Sequence, residues 1–378
     1  MKKKSVALGI ALIAAAALTA CSGGETAETQ APAETQAPAE TQAASEAESE
    51  SEAEAPAEEE SAQAPADEKT FELKLAENQP KDNPISQGMQ MFADLVEEKT
   101  NGTVKIEVYL DGMLGTENET IDQVHAGTLD LARINTSALS STADEVGVFT
   151  LPYIFTSTEQ KYKVLDGEIG QNIIKSLENY NMIGLEYWES GSRNFYTTEK
   201  PITCVADMKG MKIRVQESDI AIKIRVQESD IAIKMIEMLG AAATPMSYNE
   251  VYQGLQTGVI DGAENDFVSY YTSGHYEVAK YYTLDGHMAP PALLIMSKTV
   301  WDEMSENQQN AIREAAKEAA VWQRKAMDDY QEESRKLVEE KGCQIIEVDA
   351  KEFQDAVAPM YEDYPQYKEV IDQIRAVE

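Results

Sequence analysis

The sequence Phe71-Glu-Leu-Lys-Leu75 alternates apolar with polar residues, and Val104-Lys-Ile-Glu-Val108 does the same farther along. An alternation of period two is typical of a β-strand with one buried face. The residues between the two segments have Pro84 where a helix can begin. They then place four apolar residues at helical spacing: Ile85, Met89, Phe92 and Val96. This stretch therefore predicts a strand, a helix and a second strand.

The same succession continues after the second strand. Thr116-Glu-Asn-Glu119 has the pattern of a capping box, and Gly127 marks the end of that helix. Residues 129–134 then read as a third strand. Strands that alternate with helices indicate an α/β fold with a parallel sheet covered by helices.

Several later segments extend this pattern. We predict one helix over residues 159–180, strands over 182–188, 193–197 and 292–297, and a second capping box at Ser247-Tyr-Asn-Glu250. Neither Pro nor Gly interrupts residues 305–341, which predicts a helix of ~54 Å. Because such a helix is longer than one domain is wide, we expect it to bridge two domains.

The N-terminus has the features of an export signal. Met1-Lys-Lys-Lys4 is basic, and the apolar run 6–18 is too short to span a bilayer. Leu18-Thr-Ala-Cys21 resembles the lipobox of bacterial lipoproteins, which predicts a signal peptide over 1–20 and lipidation at Cys21. An ordinary signal with a chance Cys is the alternative. The localisation expected is the outer face of the cytoplasmic membrane.

The segment that follows is compositionally different from the rest of the chain. Residues 22–68 contain 14 acidic residues and no Lys or Arg, and they lack aromatic and branched aliphatic residues. We therefore predict that residues 21–69 form a disordered acidic tether. The net charge of −35 argues against nucleic-acid binding, which needs clustered Lys and Arg.

Enzyme signatures are missing from the sequence. It contains no Gly-x-Ser-x-Gly, no phosphate-binding loop and no dinucleotide fingerprint, and its three His residues lack metal-ligand spacing. We expect neither an enzyme nor a bound metal or cofactor. A disulfide between Cys204 and Cys343 is left open, with no pairing the more favoured alternative.

Three polar segments carry a resemblance to a known family. They are Trp188-Glu-Ser-Gly-Ser-Arg193, Lys212-Ile-Arg-Val215, and the stretch from Thr244-Pro-Met to Asp261-Gly-Ala-Glu-Asn265. From about Phe71 to the C-terminus, the chain resembles the substrate-binding proteins of TRAP transporters, the DctP family.

The resemblance implies a two-domain, periplasmic-binding-protein-like receptor with a ligand cleft between its domains. Domain I would comprise 71–190 and 291–330, and domain II 191–290 and 331–378. The receptor would be a monomer that delivers a small organic acid to the small and large permease subunits. A sensor of the same fold that signals to a membrane histidine kinase is the alternative.

The resemblance also implies site residues. The strand Arg would clamp the ligand carboxylate, with Arg193 as second cation, Asn265 as hydrogen-bond donor, and Tyr248 and Asn135 at the pocket wall. Structural alternatives are an ion pair for Arg193, helix-start packing for Tyr248 and a turn for Asn265. Asp266 departs from the family pattern, and its carboxylate would repel a second anionic group. We therefore expect a hydroxylated monocarboxylate such as a sugar acid.

The strand Arg exists twice, because residues 212–222 are repeated without change as residues 223–233. One copy is surplus to the fold and is expected to form a loop or hairpin. If the second copy forms the strand, the surplus lies away from the ligand, since ligands bind beyond the carboxyl ends of strands. A working receptor thus favours Arg225 as the clamp, with Arg214 as the alternative.

Overall fold

The computed structural model of the protein describes residues 68–216 and 231–377. The predicted signal peptide, Cys21, Arg225 and all but the last two residues of the tether lie outside them. No helix in these two ranges is long and apolar enough to cross a membrane. Cys204 and Cys343 are both free thiols.

The strands form two sheets. In chain order they are β1 (Phe71–Ala76), β2 (Val104–Tyr109), β3 (Leu131–Asn135), β4 (Met182–Trp188), β5 (Arg193–Thr197), β6 (Lys212–Val215), β7 (Ala242–Pro245), β8 (Gly262–Asn265), β9 (Tyr281–Met288), β10 (Ala292–Ser297) and β11 (Gln344–Glu347).

The α-helices cover these sheets. They are α1 (Pro84–Lys99), α2 (Glu117–Ala126), α3 (Thr136–Leu139), α4 (Thr158–Asp166), α5 (Glu168–Ser176), α6 (Ile231–Met238), α7 (Val251–Thr257), α8 (Phe267–Thr272), α9 (Lys298–Trp301), α10 (Glu306–Glu340), α11 (Ala350–Val357) and α12 (Lys368–Arg375). Short 3₁₀ helices occupy Asp144–Thr150, Leu177–Tyr180, Val205–Met208, Tyr248–Glu250, His275–Glu277, Ala358–Asp363 and Pro365–Tyr367.

The first sheet has the order β2-β1-β3-β10-β4. Strand β1 is parallel to both β2 and β3, which confirms the parallel unit predicted from the opening sequence. The late strand β10 lies between β3 and β4 and is antiparallel to both. The apolar face of α1, with Met89, Phe92 and Val96, joins the core of this sheet.

The second sheet has the order β11-β9-β5-β8-β6-β7. Strand β6 is parallel to β7 and β8, whereas β5 is antiparallel to β8 and β9. The two sheets confirm the predicted α/β class. The chain passes from the first sheet to the second between β4 and β5 and returns between β9 and β10.

The predicted long helix is present as α10. Ser305 caps it in a full capping box with Gln308, and it runs for 35 residues. It packs against β4 of the first sheet and against α1, which covers that sheet. It also packs against α8, which lies beside the second sheet. The exact domain boundaries stay a prediction. After α10, strand β11 pairs with β9 of the second sheet, whereas α12 packs against α5, which lies on β4 of the first sheet.

Two local predictions are wrong. The helix expected over 159–180 is divided at Gly167, whose ψ of −173° is extended, into α4, α5 and a 3₁₀ turn. The chain bends sharply at this break, since a Cβ on Gly170 would lie 2.0 Å from the Leu165 carbonyl oxygen. Ser247 caps no helix: its hydroxyl donates to Glu250 at 2.7 Å, and the helix opens as a 3₁₀ turn.

The tandem repeat also has a definite placement. Strand β6 is built from the first copy, so the expectation that the second copy supplies this strand is wrong. The start of α6 comes from the end of the second copy. The surplus of the duplication therefore falls between strand and helix, where residues 217–230 lie outside the described part.

Candidate functional site

Two adjoining cavities lie where several strands end, each with about 330 Å³ of empty space when the open solvent at its mouth is included. Both are lined by Asn78, Glu117 and Tyr248, so we treat them as one site with two parts. The first part is also lined by Gln79, Ile85, Arg133, Asn135, Ser190, Arg193, Gln216, Asn265, Asp266 and Ser269. The second part adds Gly115, Thr116, Asn118, Arg214, Ser247 and Asn249.

The structure thus brings together five of the six residues named from the sequence. Arg193, Asn265, Tyr248 and Asn135 line the first part, and Arg214 lines the second. The sixth residue, Arg225, lies outside the described residues, and its role stays a prediction.

Arg193 is a buried partner of Glu264 in the structure. Its Nε donates to the Glu264 carboxylate, and its Nη2 donates to Oε1 at 2.9 Å and to the Glu264 carbonyl oxygen at 3.0 Å. Its Nη1 donates to Asn265 Oδ1 at 2.9 Å. Burial alone would raise the pKa of Glu264, but the charge of Arg193 and its hydrogen bonds lower it to about 2. Glu264 therefore holds Arg193 in place as a carboxylate.

Arg214 has a different environment, although it is equally buried. Its Nε donates to the Met246 carbonyl oxygen at 3.0 Å, and its Nη1 lies 4.0 Å from Glu264 Oε1. Its guanidinium carbon lies 5.9 Å from the ring centroid of Tyr248. Among the described residues, no hydrogen-bond acceptor is recorded for either Nη atom. Burial lowers its pKa, and the nearby positive charge of Arg193 acts in the same direction.

A third buried Arg was missed by the sequence analysis. Arg133 on β3 donates from Nε to Glu77 Oε2 at 2.6 Å, and its Nη1 lies 3.6 Å from Glu117 Oε1. Burial lowers the pKa of Arg133, but the Glu77 charge outweighs it, and the net direction is upward. The signal was the Arg inside the apolar strand Leu-Ala-Arg-Ile-Asn135, because Arg is rarely buried unless it is paired.

The polar wall residues take part in local structure as well. Asn135 Oδ1 accepts from Ser137 N at 3.1 Å and caps α3. The hydroxyl of Tyr248 donates to Gln79 Oε1 at 3.2 Å and lies 2.6 Å from Ser273 Oγ. Tyr248 thereby links the loop after β1 to the end of α8.

Asp266 lines the first part of the site next to Arg193. Its Oδ1 accepts from Ser269 N at 3.0 Å and caps α8, and the residue is 1% exposed. Burial raises the pKa of this carboxyl. Asp266, the residue that departs from the family pattern, therefore lies in the wall of the site, as its place next to Asn265 in the sequence suggested.

Two lining atoms are buried and have no hydrogen-bond partner among residues 68–216 and 231–377. They are Asn118 Oδ1 in the second part of the site and Ser190 Oγ in the first part. Because buried polar atoms are nearly always hydrogen-bonded, both are candidates to bind polar atoms of a ligand. Within residues 68–216 and 231–377, no cluster of His, Cys, Asp and Glu is arranged to hold a metal ion.

A buried His completes the support of Glu264. His287 Nδ1 lies 2.7 Å from Asp285 Oδ2, and its Nε2 lies 3.6 Å from Glu264 Oε2. The imidazole stacks on the Phe195 ring at 4.2 Å between centroids. Burial would lower the pKa of His287, but Asp285 and Glu264 raise it to about 9.

We predict that this imidazolium makes stability pH-dependent. Since the pKa rises on folding from 6.5 to about 9, its contribution is full below pH 6.5 and is lost as the pH rises through 9. This rise in pKa corresponds to about 3 kcal/mol of the free energy of unfolding. Urea unfolding at pH 6 to 10 should show the fall, and His287→Gln should flatten it. An equal slope in both proteins would contradict the assignment.

Comparisons with known proteins identify the family. Residues 75–369 match the model of the bacterial extracellular solute-binding protein family 7, DctP. A solute-binding protein of Chromohalobacter salexigens is 39% identical over 288 residues, which are 76% of this chain and 82% of that protein.

Solved structures agree. A TRAP periplasmic solute-binding protein from Xanthobacter autotrophicus, with bound β-D-galacturonate, is 38% identical with a TM-score of 0.76, covering 81% of this chain and all of that one. Another, from Pseudomonas putida with bound D-glucuronate, is 34% identical with a TM-score of 0.76, covering 82% and 98%.

The fold and the match together define an extracytoplasmic solute receptor. The chain belongs to the DctP family of TRAP solute-binding proteins, which confirms the resemblance seen in its sequence.

Proposed function

We propose that the protein binds a sugar acid of the uronate type in its two-part site and delivers it to a TRAP permease. The observation that carries this proposal is Arg214, a buried guanidinium that lines the second part of the site. A planar guanidinium matches the two oxygens of a carboxylate. The related proteins with bound galacturonate and glucuronate support the ligand class.

In this proposal the ligand carboxylate binds at Arg214 in the second part of the site. Arg193 stays with Glu264 and acts mainly as a positioning residue, since four of its five N–H groups are already used. The ligand hydroxyls would meet Asn118, Ser190 and Asp266 along the rest of the site. Each of these side chains can accept or donate a hydrogen bond to a hydroxyl.

A second carboxylate on the ligand would be disfavoured. The site wall includes the carboxyl groups of Glu117 and Asp266. A ligand anion next to these groups would be repelled or would force a proton onto one of them. A hydroxyl has no such cost, and it can donate to Asp266.

We predict that D-galacturonate or D-glucuronate binds at least about 100-fold more tightly than succinate or malate, since a buried unpaired charge costs several kcal/mol. Isothermal titration calorimetry on the purified chain measures this directly. Asp266→Asn should reduce this difference in affinity between uronates and dicarboxylates, because it removes the negative group that faces the ligand. Tighter binding of succinate or malate than of every uronate would refute the proposed function.

Delivery to a permease requires a position outside the membrane. We propose that the protein is exported by its signal peptide and anchored by lipid on Cys21, so that the acidic segment tethers the receptor near the small and large permease subunits. Mass spectrometry of the membrane fraction tests this, since Cys21→Ser should leave the chain without lipid and release it.

A further inference from the structure

A large groove lies on the surface, and it shares no lining residue with the two-part site. Its walls are the start of α1, the end of α8 with the following 3₁₀ turn, and the middle of α10. The space in and directly above the groove, open solvent included, is about 1650 Å³. The first sheet contributes α1 and the second contributes α8, so the groove is built from elements beside both sheets.

The groove is lined with aromatic rings. Trp322 is 39% exposed, whereas the other two Trp residues of the chain, Trp188 and Trp301, are buried. Tyr271 and Tyr276 stack at 5.4 Å between centroids, and Tyr330 meets Tyr271 edge-on at 6.5 Å. An exposed Trp beside several Tyr rings is typical of a recognition surface, because these residues give large contact area.

The charge of the groove is negative. Four exposed acidic residues line it, namely Asp82, Glu277, Asp329 and Glu333. Lys325 is the single Lys in its lining. Lys325 forms an ion pair with Asp329 one turn away, which leaves three acidic side chains for an incoming group. Aromatic faces with carboxylates nearby attract Lys and Arg side chains by cation–π and ionic interactions.

Other parts of this chain do not fit the groove. Residues 22–68 contain 14 acidic residues and no Lys or Arg, so that segment would be repelled. A second copy carries the same net charge of −35. We propose that the groove binds a positively charged, Arg- or Lys-bearing segment of another protein.

The test uses the indole N–H resonances of the full chain, labelled with ¹⁵N at Trp, at physiological salt. The probes are a decapeptide of alternating Arg and Leu, its Glu–Leu counterpart, and a neutral tetrasaccharide. We expect the Arg peptide to shift the Trp322 resonance in a saturable way and to leave Trp188 and Trp301 unchanged. Trp322→Phe assigns the resonance.

A matched pair of variants separates the groove from the general attraction of an acidic protein for a basic peptide. Glu277→Gln combined with Glu333→Gln should weaken peptide binding at least fivefold. Glu332→Gln combined with Glu339→Gln removes the same charge from α10 outside the groove and should change affinity less than twofold. Unchanged melting curves show that both variants are folded.

Three results would overturn the proposal. They are an unmoved Trp322 resonance at millimolar Arg peptide, an equal response to the Glu peptide or to the tetrasaccharide, and an equal loss of affinity in both variant pairs. Because no sugar acid is present in the experiment, these results are independent of whether the proposed ligand is correct.

Discussion

Replacing Arg214 by Ala is expected to lower the affinity for galacturonate by a factor between a few hundred and several thousand. The guanidinium would give the ligand two charge-assisted hydrogen bonds in a buried site. Loss of one partner of such a buried pair costs about 3–5 kcal/mol, which converts to that range of affinities. Calorimetry measures the loss, and an unchanged melting temperature without ligand would show that the fold is intact.

The duplication supplies a matched control for this experiment. Arg225→Ala makes the same change in an identical local sequence and should leave binding within about threefold. The sequence alone favoured Arg225 as the clamp, whereas the proposal of Arg214 rests on the first copy forming β6. If only the double variant loses binding, the two copies exchange places in the strand, and the assignment to Arg214 alone fails.

The second large effect is expected at Glu264, where Ala should destabilise the protein by about 3–5 kcal/mol. The carboxylate is 3% exposed and lies among three cationic side chains, Arg193, Arg214 and His287. Without it, the two guanidinium charges are buried and uncompensated, whereas His287 keeps its pair with Asp285. Urea unfolding measures the loss at pH 7.

A control and a second variant make the Glu264 test specific. Ala in place of the exposed Glu362 should change the free energy of unfolding by less than about 0.5 kcal/mol. Combining Glu264→Ala with Arg214→Met should recover part of the loss, because one uncompensated buried charge is removed. A loss below 1 kcal/mol for Glu264→Ala would mean that the Arg pair does not depend on this carboxylate.

The sequence was a good guide where local patterns decide the structure. Alternating strands, the Thr116 capping box and the long helix α10 follow from residues that are near each other in the chain. It failed where local backbone geometry and distant contacts decide. At the break at Gly167, a Cβ on Gly170 would lie 2.0 Å from the Leu165 carbonyl oxygen, a constraint that no periodicity reveals.

The candidate site shows the same division. Arg193, Asn265 and Tyr248 were found because a motif resemblance marked them, and they do line the cavities. The ion pairs of the site were missed. The pairing of Arg193 with Glu264 and that of Arg133 with Glu77 both depend on strand register. The sequence also could not decide which identical copy forms β6, because local preferences are the same for both.

The position of β10 has a consequence for biogenesis. This strand lies between β3 and β4, yet it is synthesised about 100 residues after β4. The first sheet therefore lacks an interior strand until residue 297 has emerged, and β11 of the second sheet follows at residue 344. Contacts of such long sequence separation form slowly. An N-terminal fragment cannot complete either sheet, so we expect the first sheet to close only after residue 297 has been synthesised.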